Sequence, residues 1–176
     1  ERLSTLTRER DEAHQALLTE AADLTKRRTE ASASIERQLA DRMRTLGIPN
    51  TRFRIDFTPR PKPAPDGMDE VAFLFSANKN EALSPVAQTA SGGEISRLML
   101  CIKAMIAGFA ALPAIIFDEI DTGVSGDISD KMADIMQDLG RKMQVITITH
   151  QPQIAARGAA HYFVYKEDTA DRTLTR

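Results

Sequence analysis

The sequence predicts an α/β fold in which a mainly parallel sheet is flanked by helices, with a long helix and a β-hairpin in front of it. Two short apolar runs, at 113–117 and 145–149, have the length of buried strands. A helical pattern that Asp127 is placed to cap separates them. A strand, a helix and a second strand in this order favour parallel pairing. A helical turn over 151–157 and a last strand over 161–166 complete this part of the fold.

Residues 1–46 are predicted to form one long helix, because they are densely charged and contain neither proline nor glycine. Gly47 and Pro49 then end it in the expected order. One heptad position is mostly apolar but is interrupted twice, and its members are Leu3, Arg10, Leu17, Leu24, Ala31 and Gln38. The helix is therefore either one leg of an antiparallel coiled coil or a solvated helix that packs by its last turns. The predicted domains are 1–47, the coiled-coil leg, and 48–176, the globular lobe.

A β-hairpin is predicted after this helix. Residues 52–58 alternate apolar and polar side chains, as a half-buried strand does, and 71–75 form a second apolar run. Four prolines and a glycine between the two runs predict a long, stiff loop at the tip: Pro59, Pro61, Pro63, Pro65 and Gly67. We interpret this tip as a solvated loop, with a partner-binding segment as the alternative.

A second helix is predicted to begin at residues 90–97. Ser91 is placed to cap it, and Glu94 follows at the spacing of a capping box. Gly92 and Gly93 are unusual in a first helical turn, but they let another molecule approach the backbone, whose free N–H groups attract anions. Two interpretations stay open: a helix start that meets a phosphate, and a capping box on a core helix.

Three ionisable side chains follow the predicted strands. Asp118 and Glu119 end the first strand and His150 ends the second, at the sheet edge where open α/β folds bind ligands. Asp118 suits a hard cation such as Mg²⁺, and Glu119 can act as a general base. Two roles for adjacent residues require the strand to end there, because neighbouring side chains on a strand point to opposite faces. The alternatives are carboxylates that solvate a strand end and a histidine bonded to backbone.

The order and spacing of these segments resemble the C-terminal half of an ABC-type ATPase head. Residues 91–94 resemble the signature motif, 115–119 resemble Walker B with the catalytic glutamate, and His150 stands where the switch histidine belongs. Gly123, Val124 and Ser125 occupy the D-loop position. The amino-acid sequences of 90–97, 117–126 and 148–156 are similar to those of RecN, a family of bacterial DNA-repair ATPases related to the SMC proteins.

The resemblance implies a role for each of these residues. Glu119 and His150 are the expected catalytic residues, and Asp118 is expected to hold Mg²⁺ through water. Residues Ser91, Gly92, Gly93 and Glu94 are expected to contact an ATP molecule held by another head. The expected D-loop departs from many ABC heads, which carry aspartate where this chain has Ser125. The implied cofactors are ATP and Mg²⁺.

The resemblance also implies partners. No G-x-x-x-x-G-K-[ST] sequence occurs in the 176 residues, so an N-terminal half of the same protein is expected to supply the P-loop. The chain begins with a glutamate within a helical pattern, which we interpret as an excised fragment that is inactive alone. A second copy of the head and DNA are the other expected partners.

Composition agrees with one globular domain, and the resemblance implies a bacterial cytoplasmic protein that is associated with the nucleoid. The net charge is −2, with the positive charge concentrated in residues 1–62, and the single cysteine, Cys101, forms no internal disulfide. No run is long enough to span a membrane. Two alternative functions stay open: the head of another SMC-like chromosome-maintenance ATPase, and a non-enzymatic coiled-coil interaction module.

Overall fold

A computed structural model describes residues 2–88, 92–110, 112–168 and 172–175. The chain divides into two compact units, Glu1–Lys103 and Ala104–Arg176. The first holds the long helix and the hairpin, and the second holds the parallel strands. The predicted boundary between 47 and 48, which separates a coiled-coil leg from a lobe, stays a prediction.

The long N-terminal helix is confirmed as α1, Arg2–Thr45. Nearly all of its first twenty residues are exposed, whereas Leu39 and Met43 near its end are fully buried. The Glu36 carboxylate accepts a hydrogen bond from the Ile55 N–H of the hairpin at 2.8 Å. The last turns of α1 therefore pack on the hairpin, and Gly47, with φ of 80°, turns the chain away from the helix.

The hairpin is formed by β1, Arg52–Ala64, and β2, Gly67–Ser76, which pair antiparallel. The prediction of a long proline loop is wrong, since β1 continues through three of the prolines and the turn contains only residues 65–66. The Ile55 N–H points away from β2, because it donates to α1. Pro59 lies four residues further along β1, so its nitrogen points to the same side as that of Ile55. Its missing N–H therefore removes no hydrogen bond between β1 and β2.

Two further contacts close this hairpin. At the tip, Arg60 Nη1 donates to Asp66 Oδ1 at 2.5 Å, and this hydrogen bond holds the pKa of the Asp66 carboxyl below its ordinary value. A short third strand, β3 (Ser84–Pro85), pairs with β2 at the other end, and a 3₁₀ turn, Val86–Gln88, follows it.

Helix α2 spans Gly92–Phe109, in agreement with the helix predicted to begin at residues 90–97. Ser91, the predicted cap, lies outside the described residues. Leu98, Leu100 and Cys101 are fully buried on this helix, and burial raises the pKa of the Cys101 thiol to about 12. Cys101 is thus a buried apolar side chain at neutral pH.

The second unit contains a parallel pair of strands, β4 (Ala114–Asp118) and β5 (Gln144–Ile148), as predicted. Helix α3, Asp127–Gly140, connects them and buries one face, formed by Ser129, Met132, Ala133, Met136 and Leu139. Asp127 does not cap this helix as predicted. Gly126 occupies the cap position with φ of 60°, and Asp127 is the first helical residue, where its carboxylate accepts a hydrogen bond from Lys131 Nζ at 2.6 Å.

The chain continues through α4, Pro152–Ala155, which matches the predicted helical turn. The predicted strand over 161–166 is wrong. Strand β6 begins only at Lys166 and pairs antiparallel with β7, so that the elements are Lys166–Asp168 and Thr173–Thr175. Residues 161–165 pair with no strand in the described part of the chain, and Phe163 is 84% exposed. An apolar run becomes a strand only where another strand meets it.

No helix among the described residues combines the length and the apolar character needed to cross a membrane.

Candidate functional site

The parallel pairing of β4 and β5 determines where the predicted site residues lie in the second unit. Asp118 is opposite Ile148 in the register, and the next N–H, that of Glu119, donates to the Ile148 carbonyl at 3.0 Å. Asp118, Glu119 and His150 therefore leave the sheet at the same edge, and all three are exposed. The strand topology brings these three residues to one edge, because the carboxyl ends of parallel strands lie at the same edge of a sheet.

Glu119 ends its strand by an unusual backbone conformation. Its φ is 47°, and it is the only non-glycine residue with a positive φ in the part of the chain that the structure describes. Non-glycine residues in the left-handed region carry a strain of about 1–3 kcal/mol and occur preferentially at functional sites. The conformation breaks the strand alternation directly after Asp118, which is the condition that separate roles for the two carboxylates require.

The segment after Glu119 is a compact double turn. The Thr122 N–H and hydroxyl both donate to the Glu119 carbonyl, at 3.2 and 2.8 Å, and the Val124 N–H donates to the Asp121 carbonyl at 3.1 Å. Gly123 has φ of 74°, a conformation that favours glycine. Val124 is buried and Ser125 is exposed, so the predicted D-loop presents Ser125 to solvent.

A buried polar network joins this turn to the segment after β5. Asp121 is fully buried, and its carboxylate accepts a hydrogen bond from the Thr149 hydroxyl. The Thr149 oxygen accepts from the Gln151 N–H at 3.0 Å, and the Gln151 amide Nε2 donates to the Val124 carbonyl at 2.9 Å. The same Nε2 lies 3.4 Å from Nε2 of His150. No sequence motif indicates a function for Asp121, Thr149 or Gln151.

The start of α2 belongs to the first unit. Gly92 is exposed, and a Cβ built on it meets no heavy atom within 4 Å, so no neighbour among the described residues requires glycine there. The Gly93 carbonyl accepts a hydrogen bond from Arg97 Nε at 3.1 Å, and Arg97 Nη1 donates to the Leu46 carbonyl after α1 at 3.3 Å. Glu94 is half-buried in the first turn. Arg97 thus ties this helix start to the end of α1.

The residues present fit a magnesium ion that is shared with a nucleotide. No group of three potential ligands of the His, Cys, Asp and Glu types occurs among the described residues, so an all-protein metal cage is not formed there. Asp118 offers one exposed carboxylate at the sheet edge. Mg²⁺ commonly binds through one or two carboxylates, waters and substrate phosphates.

Solved structures identify the class of fold. The chain is similar to the Smc head domain with a coiled coil and joint from Pyrococcus yayanosii, with a TM-score of 0.67 and 18% identity over 99% of this chain and 32% of that one. It is also similar to the Smc head domain with an extended coiled coil from Pyrococcus furiosus, with a TM-score of 0.65 and 19% identity over 99% of this chain and 41% of that one. The fold is that of part of an SMC ATPase head.

Sequence relatives identify the kind of protein more specifically than the fold does. The chain is 34% identical to the DNA repair protein RecN of Vibrio cholerae over 177 aligned residues, which cover 100% of this chain and 32% of that protein. It is 40% identical to RecN of Treponema pallidum over 136 residues, covering 74% of this chain and 24% of that protein. No protein-family model matches the chain. The chain is thus a RecN-type sequence that spans about a third or less of the length of these relatives.

Proposed function

We propose that this chain is the part of a RecN-like DNA-repair ATPase that supplies the hydrolytic carboxylate and the signature motif. The observation that carries the proposal is the placement of Asp118, Glu119 and His150 at one edge of a parallel strand pair within an SMC-type head fold. The RecN relatives, which are DNA repair proteins by name, add the biological setting. As the resemblance to RecN implies, the proposal extends to the repair and recombination of broken DNA.

In this proposal each residue at the sheet edge has one task. Glu119 accepts a proton from the water that attacks the γ-phosphate, and His150 contacts that phosphate. Asp118 holds Mg²⁺, which neutralises phosphate charge when it is bound. The exposure of all three side chains supports these roles, since a ligand can reach them.

The start of α2 acts on a nucleotide that a second head holds. Ser91, Gly92 and Gly93 approach its γ-phosphate, and Glu94 lies in the same first turn. The open space around the Cβ position of Gly92 supports a contact with another molecule there. Residues 123–125, at the D-loop position, also contact the second copy of the head in this proposal. The resulting partner is a second copy of the head, and ATP closes the pair.

The remaining half of the head covers a bare sheet face. Three apolar side chains on one face of β4 and β5 are exposed: Ile116 at 57%, Ile146 at 44% and Ile148 at 52%. The alternate residues on the opposite face, including the fully buried Phe117, are less exposed. Parallel sheets are normally covered on both faces. This supports a P-loop-bearing half of the same protein as the partner of this face.

ATP binding tests whether the P-loop is supplied by the other half of the protein. We expect the isolated chain to bind ATP no more tightly than millimolar, and the full-length protein to bind it at micromolar concentrations, because the P-loop amides and lysine cradle the phosphates. Isothermal titration calorimetry on both proteins gives the two affinities. Micromolar binding by the isolated chain would contradict the proposal.

The expected sites of action of the full-length protein are DNA and the nucleoid in the bacterial cytoplasm.

A further inference from the structure

We propose that Gln151 is a positioning residue that couples His150 to the loop of residues 123–125. The inference rests on the proposed function, because it assigns to Gln151 the control of the residue that contacts the γ-phosphate. The Gln151 side chain meets both partners: its Nε2 donates to the Val124 carbonyl at 2.9 Å and lies 3.4 Å from Nε2 of His150.

The contact with Val124 fixes the orientation of the Gln151 amide. A carbonyl oxygen only accepts hydrogen bonds, so the atom that faces it must be the NH₂ nitrogen and not the amide oxygen. The same nitrogen faces His150 and carries the second hydrogen. His150 Nε2 must then be the acceptor, which leaves the proton of a neutral imidazole on Nδ1.

Gln151 is also held from its backbone side. Its N–H donates to the Thr149 oxygen at 3.0 Å, and the Thr149 hydroxyl in turn donates to Asp121. Asp121 is fully buried, and its other carboxylate oxygen has no hydrogen-bond partner among the described residues. Because a buried carboxylate without a donor is costly, the Thr149–Asp121 bond resists displacement and anchors Gln151.

This arrangement makes the loop and the histidine move together. A hydrogen-bond acceptor at Nε2 cannot donate to a phosphate oxygen, so His150 must leave Gln151 before this nitrogen can bind a phosphate. Gln151 is held by the carbonyl of Val124, next to Ser125. A shift of the loop when heads close therefore releases the histidine. This route needs no side chain from Ser125, the position where many ABC heads carry aspartate.

The test is nitrogen-15 NMR of histidine-labelled full-length protein without nucleotide, together with steady-state ATP hydrolysis. The variants are Gln151→Ala, Gln151→Glu and, as a matched control, Gln137→Ala, which removes an exposed glutamine from α3. His150→Gln identifies the His150 signals among those of the other histidines of the full-length protein. Thr149→Val and Thr149→Ser remove and retain the anchoring hydroxyl.

We expect the wild-type protein and the Gln137 variant to carry the His150 proton on Nδ1. Both Gln151 variants and Thr149→Val should move it toward Nε2 and change kcat several-fold while KM for ATP stays within about two-fold, and Thr149→Ser should behave as wild type. The same His150 spectrum in wild type and Gln151→Ala would overturn the inference. If the spectra change as expected but the wild-type protein hydrolyses no ATP, the coupling stands and the proposed function fails instead.

Discussion

Asp69 on strand β2 is a buried carboxylate that joins the hairpin to the long helix. Its Oδ2 accepts a hydrogen bond from the Thr25 hydroxyl at 2.6 Å and lies 3.7 Å from Arg28 Nη1. That guanidinium nitrogen is itself buried and has no hydrogen-bond partner among the residues described. Asp69 is therefore the nearby negative charge that offsets a desolvated positive one.

Asp69→Ala should lower the free energy of unfolding by about 1–3 kcal/mol, because it removes the acceptor of the Thr25 hydroxyl and the ion-pair partner of the buried Arg28 nitrogen. Asp41→Ala on the same helix is the matched control. The Asp41 partner, Arg44, is 59% exposed, so the loss of that pair should cost no more than about 0.5 kcal/mol. Urea denaturation of the two variants gives both values. Equal effects would show that the Asp69 contact does not hold the hairpin on α1.

The residues of the candidate site that belong to known motifs could be predicted from the sequence, whereas the residues that connect them could not. Asp118, Glu119 and His150 were identified because they follow apolar runs directly. Asp121 and Gln151 were not, because their partners lie 28 and 27 residues away in the sequence and only the parallel pairing brings them together. Asp121 lies three residues after the end of β4, and nothing in its neighbouring sequence indicates that it is completely buried.

Elements were predicted where the local pattern decides the structure and missed where a partner strand decides it. The long helix followed from its dense charge and its lack of proline and glycine, α2 from its capping pattern, and the parallel strands from their short apolar runs. Strand β1 was predicted too short, because alternating prolines are compatible with an edge strand whose N–H groups point outward. The strand predicted over 161–166 required a neighbour, and the described residues provide none before Lys166.

The start of α2 gives a prediction that separates a structural role from a contact with another molecule. Gly92→Leu should leave the melting temperature unchanged or slightly higher, since leucine is a better helix former than glycine and the Cβ position is open. The same variant of the full-length protein should bind ATP normally but lose ATP-dependent dimerisation, because the new side chain lies where the second head's nucleotide is proposed to lie.

Gly108→Leu is the control, because it makes the same change in the same helix at another exposed glycine with an open Cβ position. Analytical ultracentrifugation with and without ATP measures the dimer, and calorimetry measures ATP binding. A Gly92→Leu protein that still dimerises with ATP would remove the start of α2 from the interface. Loss of ATP binding itself would place Gly92 in its own head's pocket.

The solved structures and the sequence relatives bear on different properties of the whole chain. The SMC head structures share only 18–19% identity with the chain and thus establish the fold alone. The RecN sequences establish the relationship at 34–40% identity. The order of the four motifs was readable from sequence, whereas the bare face of β4 and β5 became visible only in the structure.

Turnover by Glu119→Gln in the full-length protein decides whether Glu119 is the general base of ATP hydrolysis. Glutamine keeps the size of the side chain but cannot accept a proton. We expect kcat to fall by about 10²–10⁴-fold, as is typical for the loss of a general base, while ATP still binds and holds the heads in a dimer on size-exclusion chromatography. Glu30→Gln, at an exposed position on α1, should hydrolyse ATP at the wild-type rate. Turnover within a few-fold of wild type in Glu119→Gln would contradict the account and leave Glu119 as a carboxylate that only solvates a strand end.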